Sequence, residues 1–327
     1  MENLLEKKRK KQYRTLLFFC LAIFLLPLLV KSKYVLNMLV FSGIHSLIVV
    51  GFSLLMGYAG QISLGHAAFF GLGAYCSGVL TVKFGFHPWV AFGAGALITG
   101  CIAYIIGIPS LKLKGHYLAM ATLGFGIIIQ IIFVQWRSMT EGPSGLTDIP
   151  GISIGGLELN TDFKYYYFVW AFGIVGILFS LNIAHSRVGR ALRAINRREI
   201  GAEAMGVNAA KYKIQIFVLS AIYASVAGSL YTHYITFLSP EGFSFHFSVL
   251  ILVMAVFGGL ASIWGGVVGA VSLTILPELL RAYRDYDTVV YGIVLILVMM
   301  FMPKGILGLV ESAFRQIRLR WAVKERG

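Results

Sequence analysis

The sequence predicts an all-α integral membrane protein of about ten transmembrane helices, with broken or re-entrant glycine-rich segments and a weak internal match that suggests an inverted repeat of two halves. Three observations predict it. Of the 327 residues 58% are hydrophobic and the mean hydropathy is +0.80, which is too apolar for one aqueous core. Only 13% are charged, against about 25% in soluble domains. Apolar stretches also recur near the roughly 20 residues that a 30 Å hydrocarbon core requires, and Lys and Arg partition between the connections so that 21 of the 28 fall to one side.

The first element is a basic tail, residues 1–14, carrying Lys7, Lys8, Arg9, Lys10, Lys11 and Arg14. The apolar run Leu16–Val30 behind it reads as a retained helix, because Lys31-Ser32-Lys33 stands where a cleaved leader would need small residues. Spans are then expected near 15–32, 35–56, 62–82, 88–108, 116–135, 164–184, 213–233, 243–262, 265–281 and 287–302. The membrane domain is thus 15–302, with an inner loop at 185–213 and a second basic tail at 303–327.

An even number of spans puts both termini on one face. That face collects the N-tail, Lys112, Lys114, seven basic residues of the 185–213 loop and the C-tail, so the positive-inside rule makes it cytoplasmic in a multi-pass plasma (inner) membrane protein. The longest connections, 136–163 and 185–213, are each under thirty residues, too short for a nucleotide-binding domain.

Several function classes are excluded. The basic residues flank apolar runs and build no basic face, which argues against nucleic acid. Cys20, Cys76 and Cys101 have no ligand or redox spacing and are expected as small buried hydrophobes. No Walker A, H-E-x-x-H, nucleophile elbow or Asp-rich metal set occurs, so no cofactor or metal is expected. The polar residues within spans are Asn37, His45, Thr122, Gln130, Gln135 and Asn182, with no carboxylate at a span centre. An ion-coupled carrier marks its path with such groups, so energy must come from elsewhere.

The segment Gly57-Tyr-Ala-Gly60-Gln61-Ile-Ser63-Leu-Gly65-His66 is polar and glycine-rich. Non-helical backbone at membrane depth is tolerated only inside protein or beside a water-filled cavity, and interrupted helices are a transporter device. Gly57, Gly60, Gln61, Ser63, Gly65 and His66, with Thr122, are therefore candidates for a solute pathway. Two plainer readings stay open: the glycines permit close helix packing, as Gly265-xxx-Gly269 does, and His66 is a hydrogen-bonded interior histidine. A second glycine-rich stretch, Phe257–Gly266, has the same texture.

The loop from Arg187 to Asn208 is expected to be helical between Arg190 and Met205, with Leu192, Ile195, Ile200 and Met205 at helical intervals and a stop at Gly206. It lies on lipid headgroups, docks a partner, or is a solvated positive loop. The outer loop Thr140–Pro150 is rich in turn residues; it is either a plain connection or a surface for a binding protein.

Glu203-Ala204 followed by Gly206 resembles the short loop with which permeases of ABC importers engage their ATPases. Together with Gly57–Gly71, Leu118–Gly126, Gly142-Pro-Ser-Gly-Leu-Thr and Pro303-Lys-Gly, it resembles the branched-chain amino-acid ABC permeases of LivM type, from about Asn37 to Leu309. The resemblance implies an importer for leucine, isoleucine or valine. It further implies a second homologous permease subunit, two cytoplasmic ABC ATPase subunits and an extracytoplasmic binding protein, with Arg190, Glu203, Ala204 and Gly206 in the ATPase-coupling loop. One departure stands out: Ile127 and Ile128 occupy the place of an acidic residue expected after Gly126. A permease for urea or short amides, an ATP-independent channel gated by the broken helix and an intramembrane enzyme are the competing classes.

Overall fold

The computed structural model describes residues 2–29, 32–155, 157–159, 161–260 and 262–280, and beyond them Gly292, Ile296, Gly305 and Gly308. The expected tenth span, 287–302, and the basic tail, 303–327, lie outside the described residues apart from those positions.

The chain is helical almost throughout. In order it forms α1 (Glu2–Leu29), α2 (Lys33–Ser53), a π-helical turn (Leu54–Tyr58), α3 (His66–Val82), α4 (Pro88–Ser110), α5 (His116–Gln135) and the short α6 (Arg137–Thr140). After a two-strand ribbon, β1 (Ser153–Ile154) and β2 (Leu157–Glu158), come α7 (Asp162–His185), α8 (Arg187–Arg197), α9 (Glu199–Ala204), α10 (Ala209–Ile235), α11 (Phe245–Gly258) and α12 (Ile263–Leu280). Nine of the ten expected apolar segments are therefore helices among the described residues. The N-tail is not a separate element, because α1 runs unbroken from Glu2.

Local chemistry sets several boundaries. Pro88 opens α4 behind His87, Ser186 caps α8 by accepting from the amides of Val188 and Gly189, and Asn208 caps α10 by accepting from Lys211.

Helix α2 with its π turn, α4, α5, α7 and α10 are each long and apolar enough to cross a membrane unaided. The apolar part of α1 and the whole of α3 are shorter, and α11 and α12 meet at 120°, as a broken span or re-entrant hairpin does. Large side chains such as Leu17, Phe18, Leu97, Ile105 and Met120 stand on the outer surface, an apolar coat that water would not tolerate. An apolar groove of ≈ 640 Å³ between α4 and α10 belongs to the same surface. Cys101 lines that groove and is exposed on the outer side of a peripheral helix, and Cys20 and Cys76 are half-buried, which corrects the expectation that all three cysteines are buried.

Within lipid the driving force for helix association is close packing and hydrogen bonding rather than exclusion of water. Helix α2 is the hub: its span is 83% buried, whereas α4 and α5 are 28% and 33% buried and lie at the periphery. Helices α3 and α10 cross backbone to backbone, since a Cβ at Gly73 would strike Ser225 and one at Gly228 would strike the carbonyl of Phe70. Ser229 Oγ donates to Gly73 O across that crossing at 3.1 Å. Gly258, Gly265 and Gly269 bring α11 and α12 together in the same way, so Gly265-xxx-Gly269 is a packing motif. Helix α1 rests on α7 through Tyr166 and Tyr167, whose hydroxyls donate to the carbonyls of Ile23 and Phe24, each at 3.0 Å.

The loop between α6 and α7 is no plain surface connection. Leu146, Ile149 and Ile152 are buried, and Leu146 forms a two-way bridge with Leu238, each amide donating to the other's carbonyl at 2.9 Å. His233 of α10 donates from Nδ1 to Pro150 O at 2.7 Å and meets Ser77 of α3 at 2.8 Å through Nε2. The loop is thereby stitched across the ends of α3 and α10.

Candidate functional site: the broken span and the basic loop

Helix α2 does not continue into α3. It widens into the π turn, a form that is rare and frequent at functional sites. The backbone then runs non-helically from Gly60 to Gly65 before α3 starts at His66, four residues later than the expected start of that span. Gly60 takes φ +69°, a conformation that glycine adopts at no steric cost.

Backbone carbonyls and interior side chains share the hydrogen bonding of this segment. The amides of Gly60 and Gln61 donate to Met56 O and Leu55 O at 3.1 and 3.2 Å. Gln61 Nε2 folds back to Ala59 O at 3.1 Å. The Leu64 amide donates to Thr122 Oγ1 of α5 at 2.9 Å, and the Gly65 amide reaches Ser63 Oγ at 3.4 Å.

His66 then closes a buried polar hub. Its Nδ1 meets Ser63 Oγ at 3.1 Å and its Nε2 meets Ser220 Oγ of α10 at 2.7 Å, while Phe52 lies edge-on at 4.7 Å. The Ala67 amide donates to Ser248 Oγ of α11 at 3.0 Å. Ser220 lies roughly 16 Å along α10 from its start at the helical rise, which sets the hub close to that helix's middle. Four helices thus meet at one short stretch of irregular backbone. Beside it, Leu64, Ala67, Leu123, Gly126, Ile127 and Ser248 line a narrow crevice with no space for a water molecule, and Ile127 is the residue that departs from the resembled pattern.

Of the expected pathway residues, Ser63, Gly65, His66 and Thr122 come together in this hub. Gly57 and Gly60 sit on the other side of the break against α8, and Gln61 bonds only locally. Ser220 and Ser248 escaped the sequence reading because a lone serine in an apolar span carries no pattern.

The basic loop also differs from expectation. The single helix foreseen between Arg190 and Met205 is two helices, because Arg198 is extended at φ −161°, ψ 100°. The regular apolar spacing fails for the same reason: Leu192 and Ile195 are buried, while Ile200 and Met205 are 76% and 84% exposed. Ile195, Ala202 and Ala209 form a small cluster of their own with Val207 and Tyr212. Helix α9 ends in a Schellman turn, with Gly206 N donating to Glu203 O at 2.9 Å and Val207 N to Ala202 O at 3.1 Å. Gly206 takes φ +81°.

Glu203, Ala204 and Gly206 are exposed. Arg190 is exposed on α8, its Nη1 lying 3.5 Å from His185 O, and across the break at Arg198 it does not join the Glu203 end. The loop is fastened to the bundle by Lys213 Nζ, 2.5 Å from Glu199 Oε1, by Arg193, and by Asn196. Among the described residues no group of three or more His, Cys, Asp or Glu is placed to hold a metal ion.

An apolar-coated helical bundle, one of whose long apolar segments breaks into a buried, polar-lined irregular stretch, has the build of a membrane permease. The chain belongs to the family described as "Branched-chain amino acid transport system / permease component", whose model matches residues 34–300. It is 29% identical over 287 residues to the high-affinity branched-chain amino acid transport system permease protein LivM of Salmonella typhimurium, covering 81% of this chain and 68% of that one. It is 27% identical over 286 residues to the permease protein LivH of Escherichia coli K12, covering 81% and 91%. A probable branched-chain amino acid transport permease protein LivM of Methanocaldococcus jannaschii is 20% identical over 322 residues, covering 82% and 92%. No solved structure matches the chain.

Proposed function

We propose that this chain is a transmembrane permease subunit of an ABC importer for branched-chain amino acids. It sits in the plasma (inner) membrane with both termini cytoplasmic, beside a second homologous permease subunit. Two ATPase subunits dock on the α8–α9 loop through Glu203, Ala204, Gly206 and Arg190, and an extracytoplasmic binding protein delivers the solute. The segment from Gly57 to His66, with Thr122, borders the solute path.

The observation that carries this reading is α9. It is held on its own small cluster and presents exposed Ile200 and Met205 on either side of exposed Glu203 and Ala204. Exposed apolar side chains on a charged, membrane-adjacent loop are what a partner protein covers. The relatives' names support the substrate class.

The test is uptake of labelled leucine in a strain lacking this gene and in the same strain with the gene restored, with valine and urea as competitors. Restored uptake that valine suppresses and urea does not is the expected result. Urea-sensitive uptake would move the chain to an amide permease.

A further inference from the structure

We propose that Asn196 is the joint through which movement of the basic loop reaches the broken span; this rests on the docking of ATPases at α9 proposed above. A helix end leaves carbonyls without intrahelical donors. At the end of the π turn, Leu55 O and Met56 O are taken by the amides of Gln61 and Gly60, and Ala59 O by the Gln61 side chain. Gly57 O is taken from outside the segment: Asn196 Nδ2, on α8, donates to it at 3.0 Å.

The fit is steric as well as polar. A Cβ at Gly60 would stand 2.5 Å from Asn196 Oδ1 and 3.0 Å from its Cγ, so the glycine leaves room for the amide. One turn earlier on α8, the Arg193 guanidinium lies 5.6 Å from the centre of the Tyr58 ring, within the range of a cation–π contact. Its Nη1 also donates to Ala184 O, at the end of α7, at 3.0 Å.

Helix α8 is therefore held at two places. Its start is anchored to α7 by the Ser186 hydroxyl, which donates to Ile183 O at 2.8 Å, and by Gly189, whose backbone packs against the carbonyls of Ile183 and Ala184 with no room for a Cβ. Its end grips the broken span through Asn196. Immediately beyond, the extended Arg198 lets α9 leave as a separate arm. A load on α9 turns α8 about its anchored start and draws on Gly57, whose segment continues within a few residues into the Ser63–His66–Ser220 and Leu64–Thr122 contacts. The path therefore runs through the Asn196 bond, along the backbone from Gly57 to Ser63 and into the hub's hydrogen bonds, and coupling along it is to be demonstrated by measurement.

Asn196→Asp tests it, since aspartate keeps the shape and lacks the donor. In the whole transporter reconstituted with its ATPases and binding protein, the variant is expected to retain the ATPase subunits and to hydrolyse ATP within twofold of the unaltered complex. Leucine taken up per ATP should fall by about tenfold, the factor that corresponds to loss of one hydrogen bond. Asn196→Gln, which keeps an amide, should recover part of that loss, and Gly60→Ala, which pushes the amide away, should reproduce it.

In the purified full chain alone, amide hydrogen exchange over residues 57–65 should quicken in Asn196→Asp. Unchanged exchange, uptake per ATP within twofold, or loss of the ATPase subunits from the variant would each overturn the joint. An unaltered complex that holds no ATPase would instead overturn the docking reading, and the exchange measurement still decides the joint.

Discussion

Thr122 Oγ1 accepts the Leu64 amide at 2.9 Å while its own hydroxyl faces the carbonyls of Leu118 and Ala119 at 3.0 Å. One hydroxyl thus ties the irregular segment to α5. Thr122→Val keeps the shape and strands the Leu64 N–H, at a cost of about 1–3 kcal/mol for an unpaired buried donor. Thermal unfolding in detergent should show a clear loss for Thr122→Val and little for Thr122→Ser. Equal midpoints for the two would mean that the Leu64 amide has another partner.

The ion pair between Glu199 and Lys213 makes a different kind of prediction. Lys213 is 4% exposed at its side chain and Glu199 26%, so removing the carboxylate leaves an almost buried ammonium unpaired. Breaking a fully buried pair costs about 3–5 kcal/mol, and the partial exposure of Glu199 brings the expected cost of Glu199→Gln to about 2–3 kcal/mol. Limited proteolysis should cut the loop near Arg198 faster in that variant, and Glu199→Leu combined with Lys213→Leu should largely restore resistance. Lys114, 3.9 Å from the same carboxylate but 72% exposed, should change nothing measurable when replaced by alanine.

Both relationships join residues far apart in sequence, which marks the limit of what the sequence discloses. Apolar run length placed nine helices among the described residues, and the cluster of glycines with Gln61, Ser63 and His66 located the break, because backbone chemistry is written locally. The histidine's partners were hidden, since Ser220 and Ser248 differ in no pattern from serines that merely bond back to their own helix. The interruption at Arg198 was hidden for another reason: most residues from Arg187 to Met205 favour helix, and the loop's own small cluster with Ala209 and Tyr212 decides where the chain must turn. Asn196 was overlooked among arginines because its value lies in its reach to Gly57.

Gly145 predicts how firmly the 140–150 loop is held. Its φ of 77° and ψ of 149° fall in a region that is essentially glycine's alone, and a Cβ there would stand 2.6 Å from the Phe237 ring. Gly145→Ala is expected to cost about 1–3 kcal/mol locally and to open the Leu146–Leu238 bridge, read as faster proteolysis within 140–150. Gly155, with φ 55° and open space around it, is the control: alanine there should leave cleavage of that loop unchanged.

Gly206 separates a fold requirement from a docking requirement. Its φ of +81° carries the Schellman turn that ends α9, and a Cβ there would meet nothing within 4 Å. A side chain therefore adds only the left-handed backbone cost, about 1–2 kcal/mol, and asparagine bears that conformation best among the residues with a Cβ. Gly206→Asn and Gly206→Arg should both yield a folded, detergent-stable chain. If the ATPases rest on Glu203, Ala204 and this turn, the long arginine side chain obstructs them where asparagine does not. Co-purification should accordingly be kept in Gly206→Asn and lost in Gly206→Arg. ATPases retained by Gly206→Arg, with solute-stimulated hydrolysis intact, would move the docking surface off α9 altogether.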